Sequence, residues 1–231
     1  MEITALRNES MLVYKIIEPD PSFEITLIDH HYVKTDNVYE KRFPLPIENE
    51  NRTISNYIKY AEQMFTEEKR GEPMKWRESL THFASIAKKA GILWWISGRT
   101  ALALKGIEIE VDDLDFIFRE QDLPALKEAF RNYIIEPVFS TENGPRSKWV
   151  KYFGTAYSHC RVCFAAEPHL SVDQPEPVHF GPHAFTRLEP VFFGGFQVLI
   201  PPLVLHLSTY KRWGFSDVVE KIKPFMKNKA Y

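Results

Sequence analysis

Cysteine is nearly missing from this chain: its 231 residues include two, Cys160 and Cys163. A disulfide framework is therefore not the basis of its stability. Long apolar runs are missing too, and no uninterrupted stretch approaches the roughly 20 residues that a membrane-spanning helix needs. The opening Met-Glu-Ile-Thr lacks the basic segment and apolar run of a secretory signal, so the expected setting is cytoplasmic. Neither charge dominates. Lys and Arg total 29 against 31 Asp and Glu, a formal charge of −2, which excludes a global basic field for nucleic acid. Internal repeats and low-complexity tracts are also lacking. What the chain does have is a hydrophobic fraction of 44%, enough for a substantial core in one medium domain, or in a domain with an appendage.

The densest information lies between Ile92 and Phe118, ILWWISGRTALALKGIEIEVDDLDFIF. Ile92 to Ile96 is apolar and bulky, as a buried strand is. Ser97 and Gly98 interrupt it, glycine allowing a sharp turn and a close approach of backbone to a ligand. Thr100 to Leu104 predicts a helix that stops at Gly106. Glu108 to Phe118 then alternates as a strand. Asp113 and Asp115 fall two apart, a spacing that points both carboxylates to one face of a strand. Two acids on one face repel each other unless a positive charge sits between them. Mg²⁺ prefers one or two carboxylates together with substrate phosphate oxygens, and backbone N–H groups at a helix start receive phosphates. An edge strand with a polar face, or a plain glycine turn, would explain either feature alone. Together, in this order, they point to a metal and nucleoside triphosphate site.

These residues resemble the nucleotidyltransferase superfamily with the DNA polymerase beta-type catalytic fold. Its members carry a strand, a Gly-Gly or Gly-Ser turn, a helix, and then alternating hydrophobic residues and aspartates on the next strand. Gly98 takes the first glycine place and Asp113-Leu114-Asp115-Phe116 the carboxylate place, while Ser97 to Gly106 is similar to the minimal, lincosamide-modifying kind. The resemblance runs from Ile92 to Phe225, more weakly after Phe118. It implies an α/β (α+β) fold in which helices flank a mixed central sheet. It also implies Mg²⁺ (or Mn²⁺) on Asp113 and Asp115, and the phosphates of an NTP such as ATP on Ser97, Gly98 and Arg99. Lys211, near the end of a C-terminal helix, would face the triphosphate; a helix C-terminus also favours a cation with no ligand present. The acceptor implied is a small molecule, an RNA or a protein side chain. Two departures stand out. Arg99 replaces the second small residue of the turn, where it either reaches phosphate or blocks it. Cys163 sits where a third carboxylate is expected, with Glu167 and Asp173 as nearby substitutes. These departures favour the alternative of a catalytically inactive member that binds nucleotide, RNA or a protein partner.

The remaining pattern predicts an accessory region over residues 1–70 and a nucleotidyltransferase-like domain over 71–231. Met11 to Ile17, Phe23 to Val33 and Val38 to Phe43 read as extended segments. Ile54 to Phe65 and Met74 to Ala90 read as helices. Leu123 to Tyr133 continues as a helix, followed by strands at Ile134 to Phe139, Trp149 to Phe153 and His159 to Ala165. Pro175 to Arg187 reads as loop, Phe196 to Ile200 as a strand, and Asp217 to Met226 as a helix capped by Ser216. One central sheet is expected. Cys160 and Cys163, with His159, His169, His179 and His183, invite a zinc reading, but on a strand the two thiols point to opposite faces, and buried thiols are the simpler expectation. Lys148, Lys151 and Arg161 are candidates for an acceptor groove, or else solvated surface.

Overall fold

Strands β1 (Glu2–Arg7) and β2 (Met11–Ile17) open the chain as an antiparallel pair in a computed structural model that describes residues 1–70, 73–142 and 146–227. The segment expected to be extended from Phe23 is instead helical, α1 (Glu24–Asp29), entered through a 3₁₀ turn. Local chemistry explains the correction. Asp20 accepts a hydrogen bond from the Ser22 N–H at 2.9 Å, Pro21 takes the first helical position, and Phe23 and Leu27, four apart, bury one stripe. Strands β3 (Val33–Thr35) and β4 (Val38–Pro44) complete a four-stranded sheet in the order β1-β2-β4-β3.

Two long helices follow, α2 (Glu50–Lys69) and α3 (Trp76–Ala90). Strand β5 (Trp94–Ile96), helix α4 (Gly98–Leu104), strand β6 (Asp115–Phe118) and helix α5 (Leu123–Ala129) come next. Then come β7 (Ile134–Ser140), β8 (Val150–Tyr157) and β9 (Arg161–Pro168). The central sheet is mixed, ordered β5-β6-β9-β8-β7, with β6 and β9 parallel and its other pairs antiparallel. The chain ends with a one-turn helix α6 (Pro182–Phe185), a hairpin of β10 (Glu189–Phe193) and β11 (Phe196–Ile200), and helices α7 (Leu203–Arg212) and α8 (Ser216–Lys227). The architecture is thus mixed α and β with one mixed central sheet, as expected, and among the described residues it is accompanied by the four-stranded N-terminal sheet and the β10–β11 hairpin. No helix among the described residues is long and apolar enough to cross a membrane.

Alternation along the strands divides the central sheet into two unlike faces. Phe116, Phe118 and Phe164 point to one side, where α3 and α5 cover them with Phe83 and Phe130. Fully burying a phenylalanine gains about 1.5–3 kcal/mol, so this aromatic block anchors the sheet. The other side carries Asp115, Ile117, Phe153 and Ala165, which line a cavity. At the β7 end, α2 and the N-terminal sheet pack on the central sheet, burying Tyr14, Tyr57 and Phe65 together with Ile135 and Tyr157. At the other end α7 and α8 hold α4 through Leu102, Ile107, Tyr210 and Ile222. The cavity lies between these two flanks.

Candidate active site

The turn after β5 works because of one backbone conformation. Gly98 has φ +67°, in the left-handed region that other residues enter at a cost of about 1–2 kcal/mol. A side chain there would begin 3.7 Å from Asp113 Oδ1. Gly98 and Asp113 are therefore neighbours across the turn. The acidic segment is fastened from both sides. Thr100 Oγ1 donates to the Asp113 carbonyl at 2.7 Å, and the Cys163 N–H donates to the Leu114 carbonyl at 2.9 Å. Regular strand begins only at Asp115; Glu108 to Leu114, expected to be strand, lies before it, and the β5 pairing reaches only to Phe116 opposite Ile96. Asp113 still sits two residues before Asp115 on the extension of the same strand, and both face the cavity.

Ser97, Gly98, Asp113 and Asp115 line a single cavity of about 320 Å³. Burial pushes both aspartates well above the usual carboxylate range, and mutual repulsion, with Asp112 adding to it, pushes Asp113 further. Arg161 and Arg146 oppose this at Asp115 without reversing it. Among the described residues neither carboxylate has an ion-pair partner. Of the nearby guanidiniums, Arg161 pairs with Glu68 at 3.1 Å and Arg99 with Asp112 at 2.6 Å, while Arg146, on the cavity's own lining, lies over the Phe153 ring 3.9 Å from its centroid. Arg99 thus points away from the cavity, and its partner is half exposed.

The other candidates fall as follows. Ser97 Oγ donates to the His179 carbonyl at 2.9 Å, so at 2.5 Å from His179 Nδ1 it accepts that ring's proton. His179 is buried, stacks on His206 with ring centroids 4.5 Å apart, and is held neutral by burial. Lys211 is exposed on the last turn of α7. The α7 residues that do line the cavity are Tyr210, with Trp213 just beyond the helix end. Cys163 pairs in register with Asp115, and its thiol donates toward that carboxylate. Glu167 is tied to Arg119 at 2.9 Å and to the Glu120 N–H at 3.0 Å; Asp173 accepts from the Val178 and His183 N–H groups. Neither approaches the pair. Lys151 pairs with Glu120, and Lys148 is exposed. The cysteines and histidines have separate neighbours: Cys160 bonds Ser79 at 3.2 Å, Cys163 lies opposite Asp115 and His179 meets Ser97. No group of three or more His, Cys, Asp or Glu able to hold a metal occurs among the described residues.

Sequence reasoning did not single out Arg146, Trp149, Phe180 or Trp213, which complete the cavity wall. They come from three separate loops and strand ends, so no local spacing links them. A second, larger cleft of about 560 Å³ lies between α2 and the segment before β6. Its lining is acid-rich: Asp29, Glu67, Glu68, Glu110 and Asp112, with Arg161 and Lys75.

No family model matches the chain, and no curated protein matches it. Among solved structures it is similar to a Thermotoga maritima protein described as a "putative nucleotidyltransferase", at 17% identity and a TM-score of 0.47, over 66% of this chain and 92% of that one.

Proposed function

We propose that this chain is a divalent-metal-dependent nucleotidyltransferase that moves a nucleoside monophosphate from an NTP to an acceptor hydroxyl or phosphate, with residues 71–231 as its catalytic domain and 1–70 as an accessory region. One observation carries the reading: two neighbouring carboxylates, partly removed from water and, among the described residues, in no ion pair, face the same cavity as a glycine turn. Left alone, that charge is costly. The donor set fits Mg²⁺ or Mn²⁺, which need only one or two carboxylates when phosphate and water supply the remaining oxygens. Asp113 and Asp115 would hold the ion, which would supply charge neutralisation for the phosphates and the displaced pyrophosphate. The chain's own part is to fix the two carboxylates through Thr100 and β9, to keep the approach at Gly98 free of a side chain, and to offer the N–H groups of the turn to phosphate. The resemblance of the Ser97 to Gly106 run to the lincosamide-modifying kind supports a small-molecule acceptor, with an RNA or a protein side chain as the alternatives.

Calorimetric titration with Mg²⁺-ATP tests this. Wild type binds; Asp113→Asn and Asp115→Asn, correctly folded, do not. Unchanged affinity in both variants rejects the site. The second reading, a nucleotide-binding protein without transfer, is favoured by Cys163, a neutral thiol beside Asp115 where an acid would activate the acceptor. Pyrophosphate release across a panel of acceptors separates the two: binding without any release supports the second.

A further inference from the structure

Beyond the carboxylates, the cavity has a wall of rings. Trp149 stands just before β8, Phe180 before α6 and Trp213 after α7. The centroids of Trp149 and Phe180 are 5.7 Å apart and those of Phe180 and Trp213 5.6 Å apart. Three distant segments thus converge on one aromatic surface, with Arg146 on the same lining. The rings leave no slot among themselves, yet Trp149 and Trp213 remain 43% and 39% exposed. Trp76, Trp94 and Trp95 are buried, so exposure is specific to the two tryptophans at this cavity. Large rings kept partly wet beside a polar floor are a surface made for a planar ligand to lie on.

We infer that the aromatic wall of Trp149, Phe180 and Trp213 is the nucleobase subsite, holding the base by stacking on the outward ring faces while the triphosphate meets the Asp113–Asp115 floor. This rests on the proposed nucleotidyltransferase reading. It assigns the wall to the nucleotide rather than to the acceptor because floor and wall share one cavity, and a nucleotide is a ligand with one polyanionic end and one flat apolar end. The acid-rich second cleft repels a triphosphate. Stacking on aromatic rings tolerates every base, since each has a π-face, so the wall supplies affinity with little selection among ATP, GTP, CTP and UTP.

The test compares Mg²⁺-tripolyphosphate, Mg²⁺-ATP and metal-free adenosine on the full chain, by calorimetry and tryptophan fluorescence. In wild type, ATP is expected to bind about tenfold or more tighter than tripolyphosphate, and adenosine to quench the exposed tryptophans. Trp149→Ala and Trp213→Ala should each remove most of that gain and leave tripolyphosphate affinity in place; emission from the three buried tryptophans reports whether each variant is folded, and Trp149→Phe should keep much of the gain. ATP no tighter than tripolyphosphate, or a gain that survives both alanine variants, overturns the inference while leaving the metal–phosphate site standing. Binding of neither tripolyphosphate nor ATP removes the functional reading instead, and adenosine quenching, which needs no metal, then decides the wall independently. Quenching by neither nucleoside nor nucleotide overturns the subsite.

Discussion

Asp113 and Asp115 carry a consequence for stability that is independent of any activity. Burial and repulsion raise their pKa values in the folded chain, so the folded state holds protons that the unfolded chain has already released. Stability therefore falls as pH rises above the ordinary aspartate value of about 3.9 and keeps falling until the folded pair ionises. Thermal unfolding in EDTA, followed from about pH 4 to about pH 9, should show this decline in wild type and a flatter profile in Asp113→Asn. Added Mg²⁺ should stabilise the wild type more at the alkaline end, and a wild-type profile as flat as the variant's would mean that the carboxylates are not strained. Gly98 makes a second claim at this scale. Its left-handed φ predicts that Gly98→Ala costs about 1–2 kcal/mol in chemical denaturation, with Gly98→Val also weakening ATP because its side chain grows toward Asp113. The glycine and both acids were legible in the sequence because they lie within one short segment and follow strand and turn geometry. The partner of Arg99 was not, since Asp112 and Asp113 are adjacent in the chain and only the fold decides which one turns toward the guanidinium.

Elements explain why the site is held in shape. Ser97 follows β5, and its hydroxyl is bound to His179, 82 residues later, so the glycine turn is locked to the loop before α6. Ser97→Ala would leave His179 Nδ1 buried without its acceptor, and His179 Nε2 already lacks a partner among the described residues. The expected cost is about 1–3 kcal/mol, seen as a lower urea midpoint; ATP affinity should fall as well if the lock positions Gly98. A variant as stable as wild type would show that the His179 ring turns to another partner. Elements also mark where sequence reading stopped. Periodicity found α2 and α3 because each buries one stripe, and β7 to β9 were legible as short apolar runs of strand length, buried on both faces. It misread α1, whose six residues are too few for a helical period to outweigh alternation, and whose start is set by Asp20 and Pro21. It passed over β1, which borders the N-terminal sheet with little buried surface, and β10, whose apolar run Val191-Phe192-Phe193 is short and leaves Phe192 exposed. The cavity wall escaped for a related reason: Trp149, Phe180 and Trp213 each look like ordinary loop aromatics until the sheet brings them together.

At the scale of the whole molecule, the N-terminal sheet is joined to the central sheet by polar as well as apolar contacts. Tyr14 Oη donates to the Ile135 carbonyl at 2.8 Å, and Asn56 Nδ2 donates to the Ile134 carbonyl at 2.9 Å. Lys41 of β4 meets Glu136 of β7 at 2.6 Å, with both side chains largely buried, and Thr155 of β8 donates to the second oxygen of Glu136 at 2.8 Å. Thr155 is in register with Cys163, and Cys163 with Asp115. A single row of side chains therefore runs from the N-terminal sheet across β7, β8 and β9 to the carboxylates. Removing the cation leaves a buried carboxylate uncompensated, which typically costs about 3–5 kcal/mol. Lys41→Met should accordingly lower the denaturation midpoint sharply. Adding Glu136→Gln should recover much of the loss, because a neutral amide still accepts from Thr155 and no longer needs the ammonium. If that recovery occurs while Mg²⁺-ATP affinity stays reduced in Lys41→Met alone, the N-terminal region acts on the site through this row. A loss below about 1 kcal/mol in Lys41→Met, the magnitude of an exposed pair, would instead mean that water reaches Glu136 and that the apolar core alone holds the two sheets together.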